Sequence, residues 1–212
     1  MRTLRIGLLT TALAAWATPS ASIEQSAWVD GQSMASEHMR VYGVSLPPIG
    51  YVRFCERLPN ECEPAKARLH RIQLTESRQK ELELVNSFVN RIINPVTDQQ
   101  LYGRVEHWTY PEADGDCEDY VLLKRKMLMS RGWPESALLI TVVLDENRDG
   151  HAVLTVRTAD GDFLLDNKHS KIMSWNQTPY RFIKRQSYRD PLIWMSLVPN
   201  ERVAVPSSSL NE

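Results

Sequence analysis

The sequence predicts an α+β domain in which helices pack against an antiparallel sheet. Two features indicate this class. Apolar residues recur at helical spacing in two stretches before Gly132, and beyond Pro134 the apolar pattern changes to the short aliphatic runs of strands. These runs are separated by short polar turns, which join antiparallel strands. A chain of 212 residues is long enough to bury one proper core.

Two helices are predicted from capping residues and periodicity. The first follows Thr75, a residue type that caps helix starts, and stops before Pro95. Its apolar positions are Leu82, Val85, Val89, Ile92 and Ile93. The second begins near Asp116 and stops at Gly132. Each helix should therefore lay one apolar stripe on the core.

The predicted sheet follows the second helix as a meander. Polar turns at 145–150 and 159–161 separate its runs. The runs, with a final candidate strand, are 137–144, 151–158, 162–166 and 180–188. The order is therefore helix followed by antiparallel strands.

The remaining segments flank this unit. Residues 23–74 are rich in proline and weakly periodic, so we expect a loop-rich N-terminal segment packed on a main domain that spans 75–205. Residues 206–212 are expected to form a flexible tail.

The N-terminus has the pattern of a secretory signal peptide at residues 1–22. Arg2 and Arg5 precede an apolar run at 6–16 that ends in small residues, which places cleavage near Ala21 or Ser22. The alternative is a membrane anchor, but the run has about half the roughly 20 residues that a spanning helix needs. We therefore expect an exported chain with no integral membrane segment after signal removal.

Charge excludes one class of partner. The chain carries 25 basic and 26 acidic residues, for a net charge of −1. It lacks the strong positive balance of a nucleic-acid binder, so no nucleic acid is expected as a partner.

Three cysteines in an exported chain leave one unpaired. Cys55 and Cys62 lie seven residues apart in a proline-punctuated stretch, which favours a short disulfide over two separate thiols. Cys117 is then the free thiol.

Cys117 stands at the start of the second helix, in the run GDCEDY. A sulfur in that position meets unsatisfied backbone N–H groups and the positive end of the helix dipole, which favour the thiolate. The thiolate is the attacking species of a cysteine hydrolase. We therefore predict that Cys117 is a nucleophile.

A base and its orienting carboxylate are predicted on two neighbouring strands. His151 opens one strand, 34 residues after Cys117, and Asp166 ends the next, 15 residues further on. If these strands pair through the turn at 159–161, the two side chains meet at one sheet edge, where a carboxylate can orient an imidazole. Each residue alone also suits an ordinary structural role, but their order and spacing favour a catalytic triad of Cys117, His151 and Asp166.

The runs GDCEDYVLLKRKML, GHAVLTV and FLLDN resemble the bacterial transglutaminase-like cysteine proteinases, the family that includes the LapG-type periplasmic proteases. The resemblance spans about 74–188. It implies a papain/transglutaminase-like fold and a cysteine endopeptidase whose triad falls on Cys117, His151 and Asp166. It also implies a periplasmic location, a surface or secreted protein as substrate and an inner-membrane regulatory receptor as partner.

The resemblance further implies calcium, with Asp116, Glu118 and Asp119 as ligands. Electrostatics points the same way, because one like charge about 6 Å from the thiolate opposes its ionisation by about 2 to 3 kcal/mol at an effective dielectric near 20. Several carboxylates would outweigh a helix dipole worth about 1 kcal/mol, and a divalent cation would offset them. The alternative is a solvated acidic helix start that needs no metal.

The sequence therefore favours a periplasmic cysteine protease that acts through a thioester intermediate. Two alternatives stay open. A protein transglutaminase or amidase would use the same triad, and a catalytically silent periplasmic binding module would keep only the fold.

Overall fold

The computed structural model describes residues 37–64 and 71–199. The predicted signal peptide and the predicted flexible tail lie outside the described residues. Within them, no helix has both the length and the apolar character required to cross a bilayer.

A seven-stranded sheet organises the described chain, and each neighbouring pair of its strands is antiparallel. The order across this sheet is β1-β9-β8-β4-β5-β6-β7, while β2 and β3 form a separate parallel pair. In chain order the strands are β1 (Gly43–Ser45), β2 (Asn94–Pro95), β3 (Asp114–Gly115), β4 (Leu138–Leu144), β5 (Gly150–Thr158), β6 (Gly161–Leu165), β7 (Met173–Ser174), β8 (Arg181–Gln186) and β9 (Trp194–Ser196).

The helices lie mainly before the central strands. They are α1 (Ile49–Arg57), α2 (Glu76–Ile92), α3 (Asp98–Tyr102) and α4 (Cys117–Ser130). α4 contacts β5 and β4, and α2 packs against α4. A helix packed on an antiparallel sheet is the predicted arrangement, so the α+β class is confirmed.

Both faces of the central strands are buried. On one face, Ile140 and Leu154 join the main core with α2 and α4. On the other face, Val143, Val153 and Leu164 form a smaller cluster with Met39, Tyr180 and Leu197. Burial on both faces explains why β4 reads as an almost continuous aliphatic run, LLITVVL, and shows no alternation with polar residues.

The two predicted helices are present with the predicted ends. Thr75 caps α2, and its Oγ1 accepts a hydrogen bond of 3.3 Å from the Arg78 N–H. α4 starts directly after Asp116, and Gly132, which has a φ of 83°, ends the turn that follows it. A side-chain cap thus marks the start of α2, and a glycine in the left-handed region lies just beyond the end of α4.

The sequence did not locate α1, which lies in the segment expected to be loop-rich with short helical turns. A Cβ at Gly50 would lie 2.3 Å from Cδ1 of Trp108, so the close packing of this helix requires a glycine. Glycine is unfavourable inside a helix, which weakens the helical signal in the sequence. A disulfide between Cys55 and Cys62, with an S–S length of 2.02 Å, joins α1 to the short 3₁₀ turn at Pro59–Cys62. α1 is therefore stabilised by tertiary packing and a covalent link.

Removing this disulfide should destabilise the fold. For a closed loop of about eight residues, the chain-entropy model predicts that Cys55→Ser with Cys62→Ser lowers the free energy of unfolding by about 2.5 kcal/mol. Urea denaturation without reductant measures the loss, and Cys117→Ser, which keeps the disulfide, is the matched control. Equal stability of the double variant and the control would contradict the expectation.

Candidate active site

The free thiol of Cys117 opens α4 and is half-buried. Its Sγ lies 3.1 Å from Glu118 Oε2. The backbone N–H of Ala152 donates a hydrogen bond to the sulfur. Burial and the neighbouring Glu118 charge raise the pKa of the Cys117 thiol well above its usual range. The stabilisation of the thiolate expected from the helix start is thus outweighed by desolvation and the nearby carboxylate.

His151 and Asp166 meet at the end of the β5–β6 hairpin. His151 is the second residue of β5, Asp166 directly follows β6, and both are buried. His151 Nε2 lies 2.9 Å from Asp166 Oδ1. Because an ionised carboxylate only accepts hydrogen bonds, Nε2 carries the proton in this pair.

Asp166 accepts two further hydrogen bonds. The Lys168 N–H reaches Oδ1 at 2.9 Å, and the Tyr180 hydroxyl reaches Oδ2 at 2.5 Å. Burial disfavours the charge of Asp166, but the bonds from His151, Tyr180 and the Lys168 backbone outweigh this effect and lower its pKa. Asp166 is therefore held as an anion against the imidazole.

Cys117 and His151 share the wall of one cavity of about 300 Å³. The other lining residues are Pro48, Ile49, Glu106, Trp108, Glu118, Val142, Gly150, Ala152 and Lys184. The predicted nucleophile and base thus face the same space, and Asp166 supports the base through Nε2.

A compact acidic cluster lies beside the start of α4. Asp98, Asp116 and Asp119 each offer a carboxylate oxygen, and these atoms lie within 4.8 Å of one another. Each carboxylate also accepts a backbone N–H bond: Asp98 from His107, Asp116 from Asp98 at 3.1 Å, and Asp119 from Thr109 at 2.8 Å. The second oxygen of each is buried and has no hydrogen-bond partner among residues 37–64 and 71–199.

Full ionisation of this cluster is electrostatically unfavourable. Burial raises the pKa of Asp98 to about 6 and that of Asp119 to about 8, and the charge of Asp116 adds to both shifts. Glu118 belongs to a neighbouring group with Asp116 and Cys117, and burial, together with Asp116, raises its pKa to about 9. The predicted ligands Asp116, Glu118 and Asp119 are thus divided between two overlapping groups.

Asp98 is a member that sequence reasoning missed. It lies 18 residues before Asp116, and the short parallel pairing of β2 with β3 brings the two segments together, with Asn94 opposite Asp114 and Pro95 opposite Gly115. A two-residue parallel bridge leaves no periodic signal in a sequence. Gly115 is also required here, because a Cβ on it would lie 2.8 Å from Asp119 Oδ2.

The family model of the bacterial transglutaminase-like cysteine proteinases matches residues 41–202. The chain belongs to this family. Membership supports a cysteine peptidase, and it agrees with the resemblance found in the sequence.

Solved structures similar to this family member include LapG of Legionella pneumophila. One is 28% identical, with a TM-score of 0.47, and the match covers 55% of this chain and 67% of that chain. A calcium-bound LapG from the same organism is 27% identical, with a TM-score of 0.49 and coverages of 63% and 74%. No curated protein matches the chain.

The raised pKa values make the ion-free stability of this family member depend on pH. The pKa values of Asp98 and Asp119 are about 6 and 8, above their unfolded values near 4, so the folded state binds more protons between those limits. The free energy of unfolding should therefore fall as pH rises from about 4 to about 8 in EGTA-treated protein.

Urea denaturation across this pH range measures the slope. Asp119→Asn should flatten it, while Glu112→Gln, which changes an exposed carboxylate of the same region, should not. A slope that Asp119→Asn leaves unchanged would contradict the assignment.

Proposed function

We propose that this protein is a periplasmic cysteine protease that cleaves a protein substrate through Cys117, His151 and Asp166. One observation carries the proposal: an imidazole bonded to a buried carboxylate lines the same cavity as the free cysteine at the start of α4. Family membership supports the reaction class. The substrate, a surface or secreted protein, and the periplasmic location follow from the sequence resemblance and the predicted signal peptide.

The proposed chemistry is acyl transfer. Asp166 occupies Nε2 of His151, so Nδ1 takes the proton of the Cys117 thiol. The thiolate attacks the scissile carbonyl carbon, and the backbone N–H of Cys117 stabilises the resulting oxyanion. His151 then protonates the leaving amine, a thioester remains, and His151 activates the water that hydrolyses it.

Ionisation of Cys117 needs compensation in this site. Burial and Glu118 oppose a free thiolate, so the sulfur loses its proton as an ion pair with imidazolium and not as an isolated anion. Asp166 stabilises that imidazolium through Nε2. The His151–Asp166 pair therefore serves both to position the base and to balance charge.

We also propose a calcium site formed by Asp98, Asp116 and Asp119, with Glu118 as a neighbouring carboxylate. Three observations support a cation: the carboxylate oxygens converge within 4.8 Å, one oxygen of each is buried without a hydrogen-bond partner in the described ranges, and burial raises the pKa of two of the three. An all-oxygen ligand set suits calcium. A bound dication would offset the negative charge around Cys117 and hold the start of α4 rigid.

The proposed triad is tested by substitution. Cys117→Ala and His151→Ala should each reduce cleavage by roughly a thousandfold or more, because the nucleophile and its base act as a unit. Each purified variant is added to the surface and secreted proteins of a strain that lacks this protein. The cleavage products are then compared with those formed by the unsubstituted protein.

His38→Ala is the control, because His38 lies near Asp162 and away from the cavity. Full cleavage by either triad variant would refute the assignment. A labelled primary amine in the same reaction separates the outcomes, since incorporated amine indicates a transglutaminase and released peptides indicate a protease.

The proposed calcium site is tested by direct binding. Asp98→Asn should weaken calcium affinity by about tenfold or more, because it removes the charge of one of the three proposed carboxylate ligands. Isothermal titration of EGTA-stripped protein with calcium measures this, with Glu112→Gln as the exposed-carboxylate control. Absence of calcium binding by the unsubstituted protein, or full activity in excess EGTA, would count against a required ion.

A further inference from the structure

The Asp166 carboxylate is bonded on both of its oxygens. Oδ1 accepts from His151 Nε2 and from the Lys168 N–H, each at 2.9 Å, and Oδ2 accepts from the Tyr180 hydroxyl at 2.5 Å. The χ2 torsion of an aspartate is intrinsically broad, with two similar orientations. The Tyr180 bond therefore restrains rotation about this torsion and fixes the plane of the carboxylate that faces His151.

The Tyr180 hydroxyl is committed as a donor. Its acceptor is a carboxylate whose pKa is lowered, and an ionised carboxylate has no proton to give. Burial and the adjacent Asp166 charge raise the pKa of Tyr180 far above its ordinary value, so the phenol keeps its proton. The direction of this hydrogen bond is thus the same across the working pH range.

The Tyr180 ring also contacts His151. The two ring centroids lie 5.6 Å apart at an interplanar angle of 68°, an edge-on arrangement. The tyrosine is 7% exposed and packs in the smaller apolar cluster with Val143, Val153 and Leu164. The ring is therefore held by the far face of the sheet, and it limits rotation of the imidazole.

We propose that Tyr180 is a positioning residue that completes a Cys117, His151, Asp166 and Tyr180 constellation. Its hydroxyl fixes the plane of the Asp166 carboxylate that accepts from His151, and its ring restrains the plane of the imidazole. This role rests on the proposed function for its catalytic meaning, but the contact with Asp166 and His151 is testable independently. Tyr180→Phe removes the hydroxyl and keeps the ring.

Two readouts test the proposal. The first is the rate at which iodoacetamide alkylates Cys117 near neutral pH, which reports how well His151 assists the sulfur. Loss of a hydrogen bond to a charged group should slow Tyr180→Phe by about tenfold. The second is the NMR resonance of the His151 Nε2 proton, which should shift in Tyr180→Phe because its acceptor is altered.

Tyr110→Phe is the matched control. Its hydroxyl also donates to a carboxylate, Glu61 Oε2 at 2.6 Å, but it has no bond to Asp166. This variant should leave both the alkylation rate and the His151 resonance unchanged. A purely structural role for Tyr180 would lower the melting temperature and leave the His151 resonance in place, and that result would overturn the proposal.

The outcomes separate the two proposals. A shifted His151 resonance in Tyr180→Phe supports the positioning role even if the unsubstituted protein cleaves nothing. The absence of cleavage would refute the proposed function alone. If Tyr180→Phe does not fold by circular dichroism, protein labelled with 3-fluorotyrosine replaces it. That label keeps the ring and makes the hydroxyl a stronger donor, so an unmoved His151 resonance would again overturn the proposal.

Discussion

The register of the β5–β6 hairpin is the constraint on which the site depends. Leu154 pairs with Leu165 in this hairpin, and the register brings His151, near the start of β5, beside Asp166, which directly follows β6. A slip of one residue would exchange the faces of every side chain on one strand, which would separate the imidazole from its carboxylate. Burial of Val153, Leu154 and Leu164 on the two faces of the sheet holds this register. The geometry of the site therefore depends on the packing of the core.

Negative charge at the start of α4 sets a second constraint. A helix N-terminus favours anions, yet Glu118, Asp119 and Asp98 are buried close to Asp116, and this surrounding raises the pKa values of all three. Full ionisation of these carboxylates therefore needs positive charge from their surroundings. An imidazolium at His151 and a cation among the aspartates would supply it.

The N-terminal segment has a defined place in this arrangement, although its sequence shows little periodicity. Gly50 allows α1 to lie directly against Trp108, and the Arg57 guanidinium donates to the Trp108 carbonyl at 2.6 Å. The residues on either side of Trp108 donate their N–H groups to Asp98 and Asp119. The disulfide-linked α1 region thus packs against the segment 107–109. Trp108 of this segment lines the cavity, and its neighbours contact the acidic cluster.

Local chemistry was sufficient to predict part of this protein. The cap at Thr75, the stop at Gly132, the change in apolar period and the short turns predicted the α+β class, the two helices α2 and α4 and the central strands. These signals act over a few neighbouring residues. The same signals placed Cys117 at a helix start and His151 and Asp166 on adjacent strands. Only the tertiary structure decided the rest. α1 depends on packing against Trp108, and Asp98 joins its cluster through a two-residue parallel bridge. Tyr180, which directly precedes β8, contacts Asp166 from another strand of the sheet. Such contacts join residues far apart in sequence, and no local pattern records which distant partner a buried polar group will meet.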